Sequence, residues 1–392
     1  MLLAHLADLH LGYRQYYRQT AAGINQREAD VARAFVQAVD QVIAKQPDVI
    51  VVAGDLFHAV RPTNQAIIHC FRQFQRIREA LPAAKVLIAA GNHDTPRATE
   101  TGSILKLFAG LGIEVATDDA AIVRYPDLDL AVKLVPHAAL VADDRPRLDP
   151  EGDERYQVLV LHGDTPDLDP LDRWWAEPGG AAVDPSEFAD PRWNYVALGH
   201  YHVMLKVGPH AWYSGALDYV TPNPWGELAK QKAHKVPAKG WLLVDLETRQ
   251  VIPQYLESAR RLIDLPPVEA RDLPASEIDR AIQERLASIR GGYAEQLVRL
   301  VVRDVPRYVA RELDHAAIRT AKATALHFRL DLRRPEVHRT VGVGAPGARQ
   351  TLTDVLRGFL ARRPLPERVD RDAFVTRGTA MLDAVSAAES EG

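Results

Sequence analysis

The chain has 392 residues, 47% hydrophobic and 26% charged, with a formal net charge of −4. That length predicts two or three domains, and the apolar fraction excludes collagen, a coiled coil or general disorder. The charge excludes a strongly basic, histone-like protein, and no apolar run reaches the roughly 18 residues that span a bilayer. The N-terminus lacks a basic leading segment, and Asp8 and His10 interrupt its apolar stretch, so no secretory signal is expected there. Cys70 is the only cysteine, which leaves no internal disulfide or thiolate cage and suits a reducing, cytoplasmic setting.

Leu2–Ala7 is a short apolar run that ends at Asp8. Helical periodicity follows from about Asn25 to Lys45, with Val31, Phe35, Val39 and Val42 on one face. Asp48–Ala53 is continuous and β-branched, as in a strand buried on both faces. A second helix is predicted over Pro62–Leu81 and a further strand over Lys85–Ala90. This βαβαβ order predicts a largely parallel sheet flanked by helices, with function at the carboxyl ends of its strands.

Short strands then follow one another: Ile122–Arg124, Leu130–Val135, Gln157–Leu161, Tyr195–Leu198, Ala211–Ser214 and Gly240–Asp245. An insertion over Gly163–Arg192 is rich in Asp, Pro and Gly, and Trp174 and Trp175 are expected to pack it. Pro266–Pro267 marks a linker into a small α+β unit, 268–335, with a helix near Ser276–Ile289 and strands near Leu297–Val302 and Ala325–Leu330. A Gly/Pro-rich stretch, Gly342–Gly347, leads to two helical patterns, Leu352–Arg362 and Arg371–Ala387. Residues 1–254 hold 25 Lys+Arg against 32 Asp+Glu, whereas 255–392 hold 23 against 20, and 22 of those 23 are Arg. Arg forks suit phosphates; a genome that favours Arg codons gives the same bias.

Metal-type ligands recur directly after predicted strands. Asp8 and His10 follow the first and Asp55 the second, with His58 three residues on. Asn92, His93 and Asp94 follow the third, His162 follows Gln157–Leu161, and His200 and His202 follow Tyr195–Leu198. Carboxylates mixed with imidazoles, without thiolate, suit Mn, Fe, Zn or Mg. Two such ions about 3.5–4 Å apart suit phosphate-ester hydrolysis. A wholly structural reading would leave many buried histidines and carboxylates in need of partners.

The order DLHLG, GDLFH, GNHD, a lone His and GHxH resembles the calcineurin-like metallophosphoesterase superfamily. DLHLG with GDLFH is more narrowly similar to the SbcD-type DNA double-strand-break repair nucleases, over about residues 1–255. The resemblance implies a sandwich of two mixed β-sheets flanked by helices, a small α+β cap over 265–335 that binds DNA, and C-terminal helices over 350–388. It further implies that Asp8, His10, Asp55 and His202 hold one divalent ion and Asp55, Asn92, His162 and His200 a second, with Asp55 bridging and manganese favoured. His93 would stabilise charge on the scissile phosphate and protonate the leaving oxygen. Asp94 would orient His93, and His58 would help position the nucleic acid.

Tyr13, Arg14, Tyr16, Tyr17 and Arg18 follow the first motif, and interleaved aromatics and Arg are candidate nucleic-acid contacts. Arg97, beyond GNHD, is a candidate phosphate contact or a helix cap. His5, His69, His137, His210 and His234 match no motif position and are expected in the core or on the surface. In the resembled family a helical tail grips the coiled coil of an ATPase of the structural-maintenance-of-chromosomes (SMC) type, and the nuclease subunits dimerise. Here the apolar faces of the two C-terminal helices and of Pro62–Leu81 with Ser103–Leu111 are the matching candidates. Two alternatives stay open: a small-molecule phosphodiesterase or phosphatase of the same superfamily, and a DNA-end tethering scaffold with little catalysis.

Overall fold

Alternate residues of the N-terminal apolar runs face two different cores. Val49, Val51 and Ala53 pack between two sheets, while Ile50 and Val52 pack under helices. Both faces are therefore apolar, and the run is continuous rather than alternating. The computed structural model describes residues 1–96, 102–165, 179–335, 352–363, 365 and 369–390. These form two compact units, Met1–Arg333 and Arg334–Gly392.

In chain order the first unit opens with β1 (Leu2–Leu6), α1 (Gln26–Lys45), β2 (Val49–Ala53), α2 (Asn64–Ala80), β3 (Lys85–Ala89) and β4 (Glu114–Ala116). There follow β5 (Ala121–Tyr125), β6 (Leu130–Val135), α3 (His137–Val141), β7 (Tyr156–His162), β8 (Tyr195–Gly199), β9 (Leu205–Lys206) and β10 (Ala211–Tyr213). α4 (Pro224–Ala233), β11 (Gly240–Asp245) and β12 (Gln250–Tyr255) complete the sandwich. One sheet runs β12-β11-β1-β2-β3-β4, and the other β5-β6-β7-β8-β10-β9. The stretch β1 to β4 is parallel, as is β6-β7-β8-β10. The layers are helices, sheet, sheet and an outer cover built from α3, Val183, Phe188 and Trp193. Edge strand β12 was not legible because Pro253 breaks its pattern, which only an edge tolerates.

Caps set the first helices. Asn25 accepts from the N–H groups of Arg27 and Glu28, and Thr63 from that of Ala66. The second helix thus begins at Asn64 rather than Pro62.

The cap begins earlier than Pro266–Pro267. β13 (Leu262–Asp264) and β14 (Val268–Glu269) both lie along one side of β15 (Leu297–Arg303), with α5 (Ala275–Ala287) between β14 and β15. The two prolines, which lack N–H donors, divide one edge into two short strands rather than two domains. α6 (Arg307–Glu312), α7 (His315–Thr324) and β16 (His327–Leu332) complete the cap sheet and its cover.

In the second unit α8 (Leu352–Arg362) and α9 (Arg371–Ser390) pack on each other around Leu360 and Thr379. Phe359 and Met381 remain exposed. The Gly342–Gly347 stretch, Trp174 and Trp175 lie outside the described residues. Among the described residues no helix is long and apolar enough to cross a membrane.

A buried charge network pins α1 to the segment before α4. Arg27 lies 3.0 Å from Asp30 and 3.2 Å from Asp218, and donates to the Tyr219 carbonyl at 2.9 Å. Removing one partner of a buried pair costs about 3–5 kcal/mol. Arg27→Met is therefore expected to lower the urea midpoint by a corresponding amount, read by circular dichroism; an unchanged midpoint would contradict this account of the network.

Candidate metal centre

The parallel strands of both sheets deliver polar residues to one common edge. Asp8 and His10 follow β1, Asp55 follows β2, Asn92 and His93 follow β3, His162 ends β7, and His200 and His202 follow β8. Asp8 (φ 52), His10 (φ 43), Asp55 (φ 51) and His200 (φ 102) all have left-handed backbone. Such conformations cost of order 1–3 kcal/mol each and collect where geometry serves function. Close approach also demands glycine. A Cβ at Gly91 would collide with the carboxylate and backbone nitrogen of Asp55, and one at Gly199 with the Ala53 carbonyl.

Two adjacent groups result. His10 Nε2 lies 3.1 Å from His202 Nε2, and Asp8 joins them as one cluster suited to a cation. In the second, His162 Nε2 lies 2.9 Å from Asn92 Oδ1, and His200 Nδ1 is 3.3 Å from the same oxygen. Asp55 Oδ2 sits between them, 3.6 Å from His10 Nε2 and 3.3 Å from His162 Nε2. The other Asp55 oxygen accepts the His93 backbone N–H at 2.9 Å. The buried Oδ2 atom of Asp8 has no hydrogen-bond donor among the described residues, and that of Asp55 faces imidazole nitrogens of both groups. Two buried carboxylate oxygens aimed into imidazole clusters fit divalent cations.

The electrostatics are those of a cation site. Burial pushes the Asp8 carboxyl up to about 6, against the pull of His202 and His162. Burial also acts upward on Asp55, but His162, His10 and His93 outweigh it and hold this carboxyl well below the usual range. Burial lowers His162, yet the Asp55 carboxylate prevails and raises it to about 10. The Nδ1 of His162 faces the Ala53 carbonyl at 2.9 Å, which directs Nε2 into the cluster.

His58 and His93 stand beside the first group. Their rings stack with centroids 5.2 Å apart, and His58 Nδ1 is 3.2 Å from His10 Nδ1. His93 Nδ1 lies 2.7 Å from the His58 carbonyl oxygen.

Asp94 departs from the expectation that it orients the His93 ring. Its carboxylate accepts the N–H groups of Leu56 and Phe57 at 3.0 Å and of Gly91 at 3.1 Å, so it staples the Asp55 turn to the Asn92 turn. Burial, and then the charge of Asp55, push its carboxyl up to about 6.

Much of the tyrosine–arginine loop also contacts protein. Tyr13 is buried, shares its one hydroxyl proton between Gln15 Oε1 and the Thr221 carbonyl, and meets His58 in a T-shaped ring contact with centroids 4.9 Å apart. Arg14 pairs with Glu28 at 2.7 Å. Tyr16 stacks on His327 of the cap at 4.0 Å, and Arg18 donates to the Ala323 and Ala325 carbonyls. Tyr17 is fully exposed, and Arg14 and Arg18 are exposed beside it. Arg97 lies outside the described residues.

Several neighbours carried no local signal. His137 begins α3, and its pKa falls to about 4 through burial and then the charge of His162. Gly180 returns the insertion over His200, where a Cβ would strike the imidazole. By contrast His5 is a core histidine, 2.9 Å from Tyr195 Oη and pushed down to about 3 by burial.

The family model for calcineurin-like phosphoesterases matches residues 1–204, and the chain belongs to that family. Its similar proteins include archaeal ones named DNA double-strand break repair protein Mre11. That of Methanocaldococcus jannaschii is 27% identical over 253 residues, 62% of this chain and 62% of its own length. That of Sulfurisphaera tokodaii is 28% identical over 215 residues, 51% of this chain and 48% of its own. That of Methanopyrus kandleri is 25% identical over 332 residues, covering 78% and 65%. The chain thus spans roughly half to two thirds of these relatives' length. Their names agree with the resemblance carried by DLHLG and GDLFH.

Asp94→Ala would strip the acceptor from three backbone N–H groups at once. Each unsatisfied buried group costs about 1–3 kcal/mol. A loss of at least that size is expected in chemical denaturation, and wild-type stability would show that Asp94 is no staple.

Proposed function

We propose that the protein is a metal-dependent DNA nuclease that hydrolyses phosphodiester bonds at double-strand ends, as the nuclease subunit of a break-repair assembly. The observation that carries this reading is the buried Asp55 Oδ2 atom, which faces His10 of one cluster at 3.6 Å and His162 of the other at 3.3 Å. Asp8, His10, Asp55 and His202 would hold one ion, and Asp55, Asn92, His162 and His200 the other, manganese being favoured by the resemblance. Two such ions would supply Lewis acidity toward phosphoryl oxygens and an activated water. The chain's own groups do the rest. Asp94 holds the Asp55 and Asn92 turns at one spacing. With its Nδ1 committed to the His58 carbonyl, His93 exchanges protons through Nε2 and protonates the leaving oxygen. His58, braced by Tyr13, positions the nucleic acid, and exposed Tyr17 is a candidate stacking surface for a base.

The names of the relatives support DNA as substrate. The cap held against the Tyr16–Arg18 loop supports the nuclease over a small-molecule phosphatase, which has no need of it. Exposed Ile68 on α2 and Leu107 on the neighbouring Ile104–Leu111 helix support an isologous homodimer. Exposed Phe359 and Met381 support an SMC-type ATPase partner at the C-terminal helices.

Manganese-dependent release of nucleotides from linear duplex is expected. Cleavage of small phosphodiesters alone would select the phosphatase reading, and inertness toward both the scaffold. Asp55→Ala should lose both ions in metal analysis. His93→Gln should keep ions and DNA binding and lose about 10²–10⁴-fold in rate; wild-type turnover would remove His93 from the chemistry. Truncation near Gly347 should abolish ATPase binding and spare the nuclease, while light scattering at micromolar concentration should show a dimer. Undiminished ATPase binding, or a monomer, would refute those two assignments.

A further inference from the structure

A buried ion pair lies outside the chemistry described so far. Lys239, just before β11, and Glu227, in α4, are both almost fully buried and in direct contact. A charged pair in such a place is costly to desolvate and is weak evidence for stability. Its contacts show what it holds. The Lys239 ammonium donates to the His202 carbonyl at 2.7 Å, and this carbonyl also accepts the Ala216 N–H at 3.1 Å. The same ammonium lies 4.8 Å from the centre of the Tyr219 ring. The Glu227 carboxylate accepts from the Thr221 hydroxyl at 3.1 Å, and the Thr221 carbonyl accepts from Tyr13, whose ring edge meets His58. Two residues before Glu227, buried Trp225 packs against Arg299, Arg329 and His327 of the cap.

His202 sits beyond the end of β8, in a loop without regular ladder bonds. A ligand there needs an outside anchor for its backbone. We propose that Lys239, held by Glu227, is a positioning residue that fixes His202 as a metal ligand and ties it to the helix on which the cap rests. The inference rests on the metal reading above. Lys239 touches neither substrate nor ion; it acts through the His202 backbone. The effect should therefore fall on the ion held with Asp8 and His10, and spare the one held by Asn92, His162 and His200. Outer groups that orient ligands typically contribute 10–100-fold in metal affinity.

The test is manganese titration by calorimetry on the full chain. Lys239→Met alone would strand a buried carboxylate, so the paired variant Lys239→Met/Glu227→Gln removes both charges and preserves volume. Near-ultraviolet circular dichroism reports its packing. Two sites are expected in the wild type. In the folded paired variant one should keep its affinity and the other weaken by 10–100-fold, with nuclease kcat reduced at low manganese and restored at high manganese. Two wild-type affinities in the folded paired variant would overturn the inference, as would equal weakening of both sites or a rate loss that excess manganese leaves uncorrected. Fewer than two sites in the wild type would instead refute the metal reading itself.

Discussion

Asp8 and Asp55 place two carboxylates out of water at the meeting edge of two sheets, and the rest of the molecule is arranged around them. Ionised groups there are costly unless opposite charge surrounds them. His10, His162 and His202 line these carboxylates, and a divalent cation among them would supply that charge. The cost extends to the backbone, since Asp8, His10, Asp55 and His200 adopt left-handed conformations. The apolar layer between the sheets and the glycines at 91 and 199 hold these turns against that strain.

The same constraint explains why the site is distributed over so much chain. Each parallel strand can present only one or two residues at its carboxyl end. Gathering these seven residues takes strands from two sheets, and β1 and β8 contribute residues nearly two hundred positions apart. The joints are then made by backbone: Asp94 to the N–H groups of Leu56, Phe57 and Gly91, the His200 N–H to Asp8, and the Ala53 carbonyl to His162. A cluster built this way depends on rigid turns, so residues that never touch substrate can govern it.

What was legible in the sequence followed from local rules. Runs such as Val49–Ala53 and Leu130–Val135 announced buried strands, and short polar motifs after such runs marked the residues that the fold gathers at one edge. The sandwich of two mixed sheets was readable because those motifs resemble a known family. Long-range pairings were not readable. Asp94 looked like an imidazole partner because it is adjacent to His93, yet its carboxylate serves a turn 38 residues away. Tyr16 and Arg18 are nucleic-acid candidates by sequence, and only the fold reveals that they also contact His327 and the end of α7. Nothing near Lys239 in sequence points to His202. The short cap strands β13 and β14 were obscured by the prolines between them.

The central claim is that Asp55 joins two ions at this edge. Anomalous diffraction from crystals soaked in manganese tests it most directly. The account predicts two peaks about 3.5–4 Å apart, both beside Asp55, one flanked by Asp8, His10 and His202 and the other by Asn92, His162 and His200. A single peak, or two peaks that do not share Asp55, would contradict it.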